Sequence, residues 1–159
     1  MAGLDVAVPE VVGRFRGEQG LENEPVYIGL NLNKGTNAAR AVAEADTFVA
    51  RIQAVLGRLD ELVSPGEKLD RDRLEAIIEF AAWAHSEWVR IHPFCNSNGR
   101  IARVLSNAIF LRYGLPPVLR LRPRPSSPYS YAGAEGMNGN SKPMEALLRR
   151  LLKEFPNQD

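Results

Sequence analysis

Apolar residues recur at the helical period from Ala38 to Val63, where Val42, Phe48, Val49, Ile52, Val55, Leu56, Leu59 and Leu62 form one stripe. That spacing predicts a long amphipathic helix, ended by Ser64, Pro65 and Gly66. A second stripe joins Leu74, Ile77, Ile78, Ala81, Ala82, His85, Trp88 and Val89, and His85 shares its face with apolar neighbours, which makes it a core histidine. A third helix is expected from about Asn98 to Tyr113, stopped by Gly114 with Pro116 and Pro117 beyond. On it, Ile101, Val104, Leu105, Ala108 and Ile109 fall on one arc and predict the core face, while Arg100, Arg103 and Asn107 cluster elsewhere and are free to face a ligand. Pro128 to Met137, with Tyr129 and Tyr131, suits a short helix. Met144, Leu147, Leu148, Leu151, Leu152 and Phe155 make a last stripe with Ser141 as its cap. Between a variable N-terminal segment, residues 1–25, and the first helix, Val26 to Leu32 reads as a strand or hairpin arm before a Lys34-Gly35 turn. The pattern as a whole is mainly α with a short β element, and it contains no internal repeat.

The chain has 159 residues, 45% hydrophobic and 25% charged, which suits one domain able to bury about two-thirds of its unfolded surface. A formal net charge of +1 argues against bulk electrostatic binding to nucleic acid or to a membrane. No apolar run approaches the length of a membrane span, and the N-terminus lacks a signal-peptide pattern. The expected setting is cytoplasmic, or that of an effector exported by a dedicated secretion system. The single cysteine, Cys95, forms no intrachain disulfide, and His85 and His92, seven apart, make no zinc site. Arg120, Arg122 and Arg124 lie in an Arg/Pro/Ser-rich stretch that reads as a solvated loop.

Chemistry concentrates in residues 92 to 103, H-P-F-C-N-S-N-G-R-I-A-R. Pro93 biases His92 out of helical geometry, so the second helix should stop near Arg90 or Ile91 and leave His92 in a loop. Asn96, Ser97 and Asn98 suit turns and N-caps, and Gly99 lets the backbone approach a ligand closely. The first amides of the helix that follows have no intrahelical partner and carry the positive end of its dipole. That is an anion site, to which Arg100 adds a forked cation. A proton acceptor thus stands beside an anion cradle.

These residues resemble the signature of the Fic family, His-x-Phe-x-Asp/Glu-Gly/Ala-Asn-Gly/Lys-Arg-x-x-Arg. His92, Phe94, Asn98, Gly99, Arg100 and Arg103 match at the right spacing, whereas Asn96 stands in place of the usual acid and Ser97 in place of Gly or Ala. The resemblance extends over roughly residues 26 to 152. It implies a compact helical domain, residues 26–155, with a β-hairpin flap, and transfer of AMP or another nucleoside monophosphate from ATP or another nucleotide to a Ser, Thr or Tyr hydroxyl of a target protein. His92 would be the general base, Phe94 the anchor beneath it, and Ser97, Asn98, Gly99 and Arg100 the phosphate site. Arg103 would be a second phosphate or structural contact, and Tyr27, Ile28 and Gly29 of the flap would dock the target segment. The family's acid coordinates Mg²⁺; a neutral amide at Asn96 implies a weakened metal position, because Mg²⁺ is normally held by one or two carboxylates together with substrate phosphates.

Gly99, where the phosphotransferase branch of the family has Lys, favours nucleotidyl over phosphoryl transfer. The alternative is a catalytically weakened nucleotide-binding or protein-interaction module of the same fold. A thiol nucleophile at Cys95 is conceivable beside a helix N-terminus, but the resemblance leaves that position unconstrained. The inhibitory Ser/Thr-x-x-x-Glu-Gly/Asn pattern of many members has no match: Glu135-Gly136 follows Tyr131 rather than a Ser or Thr, and Glu22-Asn23 follows Glu18. Restraint would then come from a separate antitoxin-like partner, or be unnecessary in a weak enzyme.

Overall fold

The structure, a computed structural model, describes residue 11 and residues 13–28, 31–32, 35–64 and 67–155. Its described residues form five helices and one pair of short strands: β1 (Tyr27–Ile28), β2 (Asn31–Leu32), α1 (Ala38–Leu62), α2 (Arg71–Ile91), α3 (Asn98–Arg112), α4 (Tyr129–Met137) and α5 (Lys142–Glu154). The chain is therefore mainly α, as its periodicity predicts. The strands pair antiparallel, Tyr27 opposite Leu32 and Ile28 opposite Asn31.

Helix α2 is the hub, because α1, α3, α4 and α5 all pack on it. Its sequence permits this: Ala81, Ala82 and Ala84 are fully buried small residues that let neighbours approach, while Ile77, Ile78, Trp88 and Val89 fill the spaces between. Each large aliphatic side chain removed from water there contributes roughly 1.5–3 kcal/mol. Start signals are local. The Asn37 side chain accepts from the Ala39 amide at 2.9 Å, and Asp70 accepts from the Arg73 amide at 2.8 Å, each satisfying an orphan donor of a first turn.

Three expectations are corrected by the packing. In α1 the buried positions are Ala38, Ala41, Ala45, Phe48 and Leu59, whereas Val49, Val55 and Leu62 are exposed, since the helix meets the hub along a narrower seam than its apolar residues span. On α3 the buried face carries Ala102, Arg103, Ser106, Asn107, Ile109 and Phe110, and Val104 and Ala108 face outward. The physical reason is a set of satisfied polar contacts. Ser106 Oγ donates to Ala81 O at 3.0 Å, and Asn107 both donates to Leu119 O at 2.8 Å and accepts from the Leu119 amide at 3.0 Å, tying down the loop that follows the helix. Ser141 precedes α5 without capping it; its hydroxyl donates to Glu145 instead, and Asn140 accepts from the Lys142 amide.

The strand pair is fastened to the hub at its exit. The Thr36 amide donates to Arg90 O at 2.9 Å, and the Thr36 hydroxyl lies between Arg90 and Glu44. Gly35 has φ +101°, and a Cβ there would stand 2.7 Å from Arg90 O, so this crossing requires glycine. Residues 13–25, set apart in the sequence, also pack inward: Leu21 is buried and Phe15 stacks on Phe94 with ring centroids 4.8 Å apart.

Candidate active site

His92 is the residue that closes α2. Its amide donates to Trp88 O at 2.9 Å, and its backbone then turns into the left-handed region, φ 51° and ψ 55°, outside the extended range that the following proline favours. A non-glycine residue there is uncommon and costs roughly 1–2 kcal/mol, so the surroundings must hold it. The ring is held too. Nδ1 lies 3.1 Å from Val89 O, an acceptor, which places the proton on Nδ1 and leaves the Nε2 lone pair open. Burial lowers the His92 pKa below its ordinary value, Arg16 lowers it further by charge, and the Val89 contact raises it in part. The ring is neutral at pH 7.

The loop from His92 to Ser97 is closed by one side chain. Asn98, 1% exposed, donates to Phe94 O at 2.6 Å and accepts from the Phe94 amide at 3.1 Å. Phe94 is held between Phe15 and Trp88, the latter with a centroid distance of 6.1 Å, which packs the loop after His92 onto α2 and the N-terminal segment. Ser97 adopts φ 71° and turns the chain into α3. Asn96 is exposed, and its Oδ1 accepts from the Ser97 amide at 2.6 Å.

Helix α3 starts at Asn98, and its first intrahelical bonds arise at Arg100 and Ile101, both donating to Ser97 O. Among the described residues the amides of Asn98 and Gly99 have no acceptor, and Arg100 is exposed with no ion-pair partner. Two amides and a guanidinium at the positive end of a helix can hold a phosphate. Gly99 has room for a Cβ, but a longer side chain would run onto Arg103, 3.7 Å away, and the Tyr129 hydroxyl, 4.0 Å away.

Arg103 lies inside. It is 4% exposed, donates from Nη1 to the Tyr129 hydroxyl at 3.1 Å and from Nη2 to Leu121 O at 3.0 Å, and stands over the Tyr129 ring at 5.4 Å. Of the two contacts its motif position allows, the structural one accounts for these donors. The same hydroxyl lies 2.9 Å from His85 Nε2 and 3.4 Å from Gly99 O, so Tyr129 braces the start of α3 from beneath. His85 is fully buried, and desolvation together with the charge of Arg103 lowers its pKa to about 3.

The model of the Fic/DOC family matches residues 10–110, which is most of α1 to α3 and the whole of this loop. The chain belongs to the Fic/DOC family. Among curated proteins, Protein adenylyltransferase Fic of Nematostella vectensis is 60% identical over 42 residues, 26% of this chain and 10% of that protein. The proteins of the same name from Drosophila persimilis and Aedes aegypti are each 41% identical over 54 residues, 34% of this chain and 11% of theirs. The matched stretches are thus about a tenth of the length of those relatives.

Within this Fic domain, the residues that sequence reasoning missed are Arg16 and Tyr129. Arg16 is 1% exposed and touches the backbone of His92 itself, yet it lies in a segment with no periodic pattern to mark it. Tyr129 opens the predicted short helix, and its hydroxyl partners are 26 and 44 residues away in sequence, a separation no local pattern encodes. Tyr27 and Ile28 form β1, while Gly29 lies outside the described residues. For a divalent cation the donor chemistry does not fit well: Asn96 contributes a neutral oxygen already turned onto the Ser97 amide, and the described residues contain no cluster of three carboxylate, histidine or cysteine ligands. Cys95 is half-buried, and burial raises its pKa, which disfavours the thiolate a nucleophile requires.

Proposed function

We propose that this Fic domain transfers a nucleoside monophosphate, AMP from ATP in the first instance, to a Ser, Thr or Tyr hydroxyl of a target protein. The observation that supports the reading is the His92 ring, whose Nδ1 faces the Val89 carbonyl at 3.1 Å so that Nε2 is the acceptor, on the loop that leads into the α3 N-terminus. His92 takes the proton of the attacking hydroxyl; the new bond forms from that oxygen to the α-phosphorus as the bond to pyrophosphate breaks. A positioned general base contributes roughly 10²–10⁴ in rate. The Asn98 and Gly99 amides and Arg100 hold the phosphates and stabilise charge on the departing pyrophosphate. The pair β1 and β2 is the segment beside which an extended target strand would dock, with Tyr27, Ile28 and Gly29 as its contacts.

No step of this scheme runs through Mg²⁺, given the donor set. That feature also favours a second reading, a weakened enzyme or nucleotide-binding module, because Asn96 supplies no charge to a metal. A separate inhibitory partner fits the absence of an inhibitory motif from the sequence.

The test is incubation with a target extract, Mg²⁺ and ATP labelled at the α- or the γ-phosphate, comparing wild type with His92→Ala. Transfer of α-label that the variant loses supports the proposal. Transfer of γ-label alone would replace it with phosphotransfer, and nucleotide binding without transfer of any label, from ATP or the other nucleotides, would replace it with the binding module.

A further inference from the structure

Arg16 makes an unusual set of contacts for a residue outside the motif. Its guanidinium donates from Nε to His92 O at 2.6 Å, from Nη1 to Glu24 O at 3.0 Å, and from Nη2 to both Thr36 O at 2.7 Å and Ile91 O at 3.0 Å. Two of these acceptors are terminal carbonyls of α2, which have no intrahelical donor and sit at the negative end of the helix dipole. The other two flank the strand pair, Glu24 before β1 and Thr36 after β2. Arg16 is in turn fixed by its own backbone. Its amide donates to Pro93 O at 2.7 Å beside the Phe15–Phe94 bridge, and Gly17 next to it has φ +89° with space for a Cβ blocked by Ala38 O.

We infer that Arg16 is the positioning residue of the reaction: one buried guanidinium holds His92 in its left-handed pose and ties that pose to both ends of the β1–β2 pair. The inference rests on the proposed role of His92 as base. The left-handed turn is what brings the ring back along α2 so that Nδ1 reaches Val89 O, and that bond selects the tautomer with Nε2 open. Without a donor on His92 O the strained backbone relaxes, the Val89 bond opens, and the ring reverts towards the Nε2–H form. Because the same guanidinium also clamps Glu24 O and Thr36 O, through Nη1 and Nη2, displacement of the strand pair by a docking segment is felt at the histidine through a single rigid group.

The test uses the full chain and reads the tautomer directly, by ¹⁵N chemical shifts of the His92 imidazole at pH 8, alongside steady-state kinetics with ATP. Wild type should show predominantly the Nδ1–H form. Arg16→Lys, which keeps the charge but supplies one donor centre for four acceptors, should shift the population towards Nε2–H and lower kcat about 10- to 100-fold, the loss expected of a misplaced base, with the KM for ATP changed less than about twofold. Arg16→Gln, without the buried charge, serves where Arg16→Lys does not fold. An unchanged tautomer in the folded variant, Nε2–H in wild type, or failure of both variants to fold would overturn the inference, the last because Arg16 would then serve the fold rather than the histidine. An inactive wild type whose tautomer still shifts on substitution would sink the transfer reading and leave the positioning role standing; an active one with an unmoved tautomer would do the reverse.

Discussion

Replacing Tyr129 by Phe removes one oxygen and leaves the ring in place, which isolates the buried hydroxyl under α3. That oxygen is 2.9 Å from His85 Nε2 and 3.1 Å from Arg103 Nη1, and both partners are buried. Arg103 keeps its bond to Leu121 O and its position over the ring, so its loss is one charge-assisted bond. Stranding a buried polar group costs roughly 1–3 kcal/mol, towards the top of that range for a charged one, and His85 adds a smaller amount. The two together give about 3 kcal/mol. For a chain of this size each kcal/mol shifts Tm by roughly 2–4 °C, so Tyr129→Phe should melt about 6–12 °C below wild type. Calorimetry, with urea unfolding as the check that the transition stays two-state, measures this. A loss under about 1 kcal/mol would refute the reasoning, because it would mean that neither His85 nor Arg103 depends on that hydroxyl.

The pH dependence has two parts. His92 has a folded pKa below its ordinary value, so the acid limb of kcat/KM should fall below pH about 6.5; an inflection above 6.5 would contradict the burial argument. His85, lowered to about 3, is neutral in the folded state, so its contribution to stability is present above about pH 6.5 and is lost as pH falls towards 3, where the unfolded state binds the extra proton. His85→Gln should flatten that acid loss in urea titrations. Asn98→Ala opens both bonds to Phe94 and should cost about 2–3 kcal/mol and at least tenfold in activity, checked by unfolding and by turnover at a temperature where the variant is folded. Asn96→Asp restores a carboxylate and should raise Mg²⁺-dependent transfer; unchanged turnover would remove the explanation of a weakened metal position.

The sequence by itself determined the helices and the motif that frames the candidate site, because both are local. Stripes at period 3.6, Asn37 and Asp70 as caps, Pro93 after His92 and Gly114 after Tyr113 act within a few residues of where they stand. The motif likewise brings histidine, loop and helix N-terminus together through chain continuity alone. Tertiary structure decided which face of α3 is core. Arg103, Ser106 and Asn107 are buried against their hydropathy because α2, α4 and the loop before Arg120 bring hydrogen-bond partners to them, and no residue within a turn reveals that. It also decided the setting of His92. The guanidinium that holds it comes from 76 residues away, from a stretch without periodicity. A buried polar group is tolerable only when its partners arrive, and their arrival is a property of the packed chain rather than of any segment of it.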